Sequence, residues 1–209
     1  MQHESGAAGS LRTAIVVCGI LKEEIVAVLR QAGLDLPVFP LAPAPCIDYA
    51  VLGRQLDGAL RWAAAVADDI LVVIGRCHPD IEAITARYGA RRLDMHDCFE
   101  ALLGREERRR LDREANTFYT LPAWLPHWRR AFAKGMRWDE VDARQTFGHY
   151  ERILLLDTGL HPMADEQILA FFDYTGVPIE VRPVTLENLS RLVLAALPSG
   201  AKPPMVEQI

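Results

Sequence analysis

The chain is 209 residues long, half of them hydrophobic, and carries a formal net charge of −5. That length buries a substantial core in one globular domain, and the acidic balance argues against a general binder of nucleic-acid phosphates. The Arg-rich run "REERRRLDRE" alternates its signs closely, as a solvated helix face does.

The longest apolar runs, "TAIVVCGIL" and "DDILVVIG", fall far short of the roughly 20 residues of a membrane helix. The opening "MQHESGAAGSLR" lacks the apolar segment of a secretory signal, so the expectation is a cytoplasmic protein that does not enter a membrane. Its cysteines are then expected to be reduced. Cys18, Cys46, Cys77 and Cys98 stand far apart with no CxxC pair, so any site they share must be assembled by the fold.

In chain order, "TAIVVCGI" reads as a buried strand and "LKEEIVAVLRQAG" as a helix that stops at Gly33. The proline-dense "DLPVFPLAPAPC" cannot be a regular helix. After it, Ile47, Val51, Leu52, Leu56, Leu60 and Ala64 share one face of a long helix. "DDILVVIGRC" is a buried strand, "HPDIEAITARYGA" a short helix with Pro79 in its first turn, and "ARRLDMHDC" a short strand feeding the helix "FEALLGREERRRLDRE". The aromatic, proline-bearing "ANTFYTLPAWLPHWRRAFAKGMRW" interrupts the rhythm as an ordered insertion. "HYERILLLDTG", "MADEQILAFFDYTG", "PIEVRPV" and "TLENLSRLVLAAL" then restore strand, helix, strand, helix.

This alternation predicts an α/β fold, a Rossmann-like parallel sheet with helices on both faces and an aromatic-rich insertion. Residues 13–197 form a single α/β domain on this reading, residues 1–12 a flexible N-terminus, and residues 198–209 a flexible tail or an arm that docks on a neighbour in a homo-oligomer.

In an open parallel sheet, ligands collect beyond the carboxyl ends of the strands. Cys18 ends the first predicted strand, Cys77 and His78 the second, His96 and Cys98 the third, and Asp157 the fourth. Cysteine is commonly a buried small hydrophobe, and Cys46 keeps that reading. The other three share a placement that random core cysteines have no reason to share, and each precedes a helix whose amides favour a thiolate. In an extended segment His96 and Cys98 point the same way, and a thiolate-rich site with one histidine suits zinc. The bland alternative is that His96 bonds a carbonyl or Asp157. His78 reads as a helix cap or a catalytic group and Asp157 as a strand-end carboxylate, while His127, His149 and His161 are indistinguishable from surface residues. Phe118, Tyr119, Trp124 and Trp128 read as core packing or as a lid that excludes water from this edge.

These blocks, in order, resemble the family catalogued as domain of unknown function 1638 (DUF1638). The resemblance rests on "VVCGILKEEI", on Gly75-Arg76-Cys77, on "HDCFEALLG", on "NTFYTLPAW" and on the strand ending in Asp157. It covers most of the chain. His78 and Asn116 stand where the family pattern has glycine, which changes the geometry of both loops while leaving the three cysteines intact.

The resemblance implies a role near one-carbon metabolism and corrinoid methyl transfer. The strand-end placement gives an expected metal set of Cys18, Cys77, Cys98 and His96 and catalytic roles for Asp157 and His78, and the aromatic block a cofactor-binding role for Thr117, Tyr119 and Trp124. The expected function is a metal-binding protein associated with corrinoid methyl transfer, whose cysteine-based zinc site activates a small-molecule thiol and which, if an enzyme, is a metal-dependent methyltransferase, with a methyl donor or a corrinoid protein as partner. Two alternatives stay open: a [4Fe-4S] protein with three cysteine ligands and an open iron, and a non-catalytic accessory module for a corrinoid methyltransferase.

Overall fold

The computed structural model describes residues 12–43 and 48–198; Cys46, Ile47 and the two terminal segments lie outside the described residues. β1 (Thr13–Val17) is buried along its whole length, as a strand covered on both faces must be, which is why its sequence is a continuous β-branched run rather than an alternating one. It pairs in parallel with β2 (Val38–Pro40) on one side and with β3 (Asp69–Val73) on the other. β3 in turn pairs with the two-residue β4 (Arg91–Arg92). The resulting four-stranded sheet has the order β2-β1-β3-β4.

Parallel neighbours require crossovers, supplied by α1 (Lys22–Gln31), α2 (Tyr49–Val66) and α3 (Ile81–Ala86). Asp48 caps α2 by accepting from the Val51 amide at 3.0 Å. The buried face of α2 carries Leu52, Leu56, Leu60 and Ala63. Ala64, expected on that stripe, is exposed, because Leu52 to Ala63 spans about three whole turns and the next residue rotates away.

A second parallel sheet is formed by β5 (Thr117–Thr120), β6 (Arg152–Asp157) and β7 (Ile179–Pro183), in the order β5-β6-β7. The parallel α/β class follows from the alternation, but the strands divide into two sheets. α4 (Cys98–Leu103) and α5 (Arg105–Glu114) lead from one to the other. Gly104, at φ 82°, breaks what the sequence reads as one helix, since this left-handed backbone favours glycine. α6 (Glu140–Phe147) and α7 (Asp165–Thr175) serve the second sheet, and α8 (Glu187–Ala196) turns back to pack on α4. There Asn188 donates to the Ala101 carbonyl at 2.9 Å. No helix among the described residues is long and apolar enough to cross a membrane.

The aromatic insertion is core rather than lid. It contains β5 itself and continues through a 3-10 turn (Leu125–His127) into a π-helix (Arg129–Met136). Trp124, Trp128, Phe132 and Phe171 are all at most 9% exposed. Trp128 lies 4.5 Å from Tyr174, and Phe132 stacks on Trp138 at 5.4 Å. Rings of this size close the space between β5–β6 and α6–α7 better than aliphatic residues would.

Candidate functional site

The register of the first sheet brings three cysteine-bearing turns to one edge. β1 and β3 run in parallel with Val17 opposite Val73, so the turns that follow them leave the sheet side by side, and the Cys18 amide donates to the Val73 carbonyl at 3.2 Å. The next turn, Gly75-Arg76-Cys77, is tied to the His96 turn by the Arg76 amide, which donates to the His96 carbonyl at 2.7 Å. Gly75 is required for this approach: a Cβ there would sit 2.5 Å from the His96 oxygen. Gly19 plays the same part beside Cys18, where a Cβ would meet the Leu41 oxygen at 2.2 Å. Cys18 is buried, and Cys77 and Cys98 are half-buried.

The His96–Cys98 segment differs from the extended run expected of it. β4 ends at Arg92, and Cys98 is the first residue of α4. Asp97, the N-cap, has extended dihedrals and accepts from the Glu100 amide at 2.8 Å. Its neighbours therefore do not alternate along a strand. The His96 side chain is 70% exposed and its Nδ1 lies 3.4 Å from Asp97 Oδ2, so the imidazole faces solvent beside the cap. Among the described residues, no group of three or more His, Cys, Asp or Glu side chains is arranged to hold a metal ion.

The other residues singled out by sequence take up local duties. His78 Nδ1 accepts from the Asp80 amide at 3.0 Å, a cap on the turn that enters α3, and its ring packs where Gly53 of α2 leaves room. Asp157 ends β6 and accepts from the Gly159 amide at 2.8 Å. Thr117 donates to the Ala115 carbonyl and accepts from Arg152 Nε at 3.0 Å. The Tyr119 hydroxyl donates to Asp112 at 2.7 Å; burial and that carboxylate push its pKa up to about 12. Trp124 lies within the aromatic core. Thr117 and Tyr119 thus lie in β5 and Trp124 just beyond it, while the three cysteines stand beyond the ends of β1, β3 and β4.

A group that the sequence reading passed over lies where the two halves meet. Glu24, on the first turn of α1, is 0% exposed. Its Oε1 accepts from Thr158 Oγ1 at 2.8 Å and lies 3.0 Å from His161 Nε2, both from the turn after β6. Among the described residues its buried Oε2 has no hydrogen-bond partner. The signal was legible: Ile20, Leu21 and Val28 lie on the same face of this helical stretch and are all buried, so a glutamate here interrupts an apolar stripe.

The fold and this edge define a parallel α/β protein with thiols at its strand ends and a buried carboxylate between its sheets. The chain belongs to a family described as Protein of unknown function (DUF1638), whose model matches residues 48–193. That span includes Cys77, Cys98, Asp157 and His161, and begins after Cys18 and Glu24. No curated protein and no solved structure matches the chain.

Proposed function

We propose that the carboxyl edge of the four-stranded sheet is a thiol-based metal centre, with Cys18, Cys77 and Cys98 as its ligands and zinc as its metal. The observation that supports this reading is the convergence of the three cysteine turns, locked to one another by the Cys18–Val73 and Arg76–His96 backbone bonds. Three thiols are a donor set that thiophilic metals select over harder cations. The reading calls for the thiols to turn toward one another from these tethered turns. Zinc bound there would keep a further sulfur deprotonated near neutral pH while leaving it nucleophilic, the chemistry that methyl transfer to a small-molecule thiol needs. Gly75 holds the Cys77 turn against the His96–Cys98 turn.

A second reading, a [4Fe-4S] cluster on the same three cysteines, is favoured by one specific observation. His96, whose position beside Cys98 argued for zinc, is turned out to solvent. A set of three cysteines without a histidine also suits a cluster with one open iron.

The test is purification without air, followed by metal and sulfide analysis and a visible spectrum. Colourless protein with one zinc supports the first reading, and a brown protein with acid-labile sulfide supports the second. Cys98→Ser is expected to remove the metal in either case. Protein that purifies with neither metal nor sulfide, or Cys98→Ser protein with undiminished metal content, would refute the metal centre.

A further inference from the structure

The geometry points to a proton-transfer pair, Glu24 and His161, at the junction of the two sheets: His161 takes a proton from a weakly acidic S–H or O–H group of a bound ligand, and Glu24 positions it. The inference is independent of the metal centre.

Glu24 is 0% exposed, and a carboxyl group is not carried into a core without partners, because its desolvation is costly. Its partners come from the far half of the chain, Thr158 and His161, which converge on a single oxygen, Oε1. The ordinary stabilising solution would spread these donors over both oxygens. Among the described residues Oε2 is instead buried without a partner.

His161 is the exposed member of the pair, with 15% of its side chain accessible. A carboxylate can only accept, so a neutral imidazole that bonds it through Nε2 donates there and carries its lone pair on Nδ1. A buried carboxylate that orients an imidazole in one tautomer and offsets the imidazolium formed is the arrangement by which histidine is made a general base. Glu24, on the first turn of α1, and His161, in the turn leaving β6, stand beyond the carboxyl ends of β1 and β6, where ligands of parallel α/β proteins collect.

The step balances without a redox partner. The ligand S–H or O–H bond breaks, its electron pair stays on sulfur or oxygen, and the proton forms an N–H bond at Nδ1. The Glu24 carboxylate compensates the new positive charge. Return of the proton to product restores the neutral ring.

Two measurements test this on the full-length protein. The imidazole 15N shifts of the wild type should show His161 as the Nε2–H tautomer; an Nδ1–H tautomer overturns the inference without any variant. Ethoxyformylation by diethyl pyrocarbonate, followed by peptide mass spectrometry, then reads the nucleophilicity of each histidine. His161 is expected to react faster than its accessibility predicts, at least as fast as the far more exposed His96. Glu24→Gln should slow His161 by about tenfold while leaving His96 unchanged, and Thr158→Val should leave the His161 rate within about twofold of wild type, since the Glu24–His161 contact survives. A His161 that reacts more slowly than His96 in the wild type, or at the same rate with and without Glu24, means that the pair is only a structural tie between the sheets.

Discussion

Asp97 and Arg108 join the two most specific parts of the family resemblance. Arg108 Nη1 lies 3.3 Å from both carboxylate oxygens of Asp97, and its guanidinium carbon sits 3.8 Å above the Tyr119 ring. Arg108 Nε also bonds Asp112, the acceptor of the Tyr119 hydroxyl. The His-Asp-Cys turn of the first half is thereby anchored to the aromatic block of the second. The two motifs share one cation, Arg108.

Asp97 caps α4 and anchors Arg108 at once, so Asp97→Ala should destabilise the protein by about 1–2 kcal/mol. Asp97→Asn should cost less, since an amide oxygen still caps. Denaturant unfolding of the two variants measures the difference, and equal losses would show that the ion pair rather than the cap dominates.

Tyr119 sets an alkaline limit. Its folded pKa, about 12, lies above the ordinary 10.0 because burial and Asp112 disfavour the phenolate. A raised folded pKa means that the native state holds the proton more tightly than the unfolded chain. The contribution is therefore complete below pH 10 and is lost as the pH rises toward 12. Tyr119→Phe should flatten this part of the stability curve, read by thermal unfolding across the alkaline range.

Gly75→Ala places a Cβ 2.5 Å from the His96 oxygen and 2.7 Å from Asp97 Cα, both backbone atoms that cannot swing aside. A loss of about 1–3 kcal/mol is expected. The variant should also lose metal in parallel if the cysteine turns form the centre proposed above. Calorimetry and metal analysis on one preparation check both outcomes.

Phe171 is fully buried and touches Trp124, Trp128 and Phe147 edge-on or tilted. Phe171→Ala should cost about 3–5 kcal/mol through the cavity it leaves. Near-ultraviolet circular dichroism should report the loosened indoles, with the far-ultraviolet spectrum largely kept.

Much of the edge was legible before the structure. Cys18 directly follows β1, as its apolar run implies, while β3 ends at Val73 and leaves Cys77 in the turn beyond it, and His78 does cap a turn. His96 misled because two residues of spacing imply a common direction only in a strand, and the segment instead enters a helix capped by Asp97. The aromatic block invited a lid because its residues are unusual in composition; only packing against α7 reveals them as core. Glu24 was visible as a charge on an apolar face, but nothing local names its partners, which lie 134 and 137 residues away.

The amino-acid sequence alone determined the order and kind of most elements, though not β2, β5 or the break at Gly104, and the family, because burial of a strand or one helix face is written in local periodicity. Only the tertiary structure decided that the strands divide into two sheets, that Arg108 links Asp97 to Tyr119, and that Glu24 meets His161. Pairing between distant segments depends on which surfaces close together in space, and the free energy of that closure belongs to no single stretch of chain.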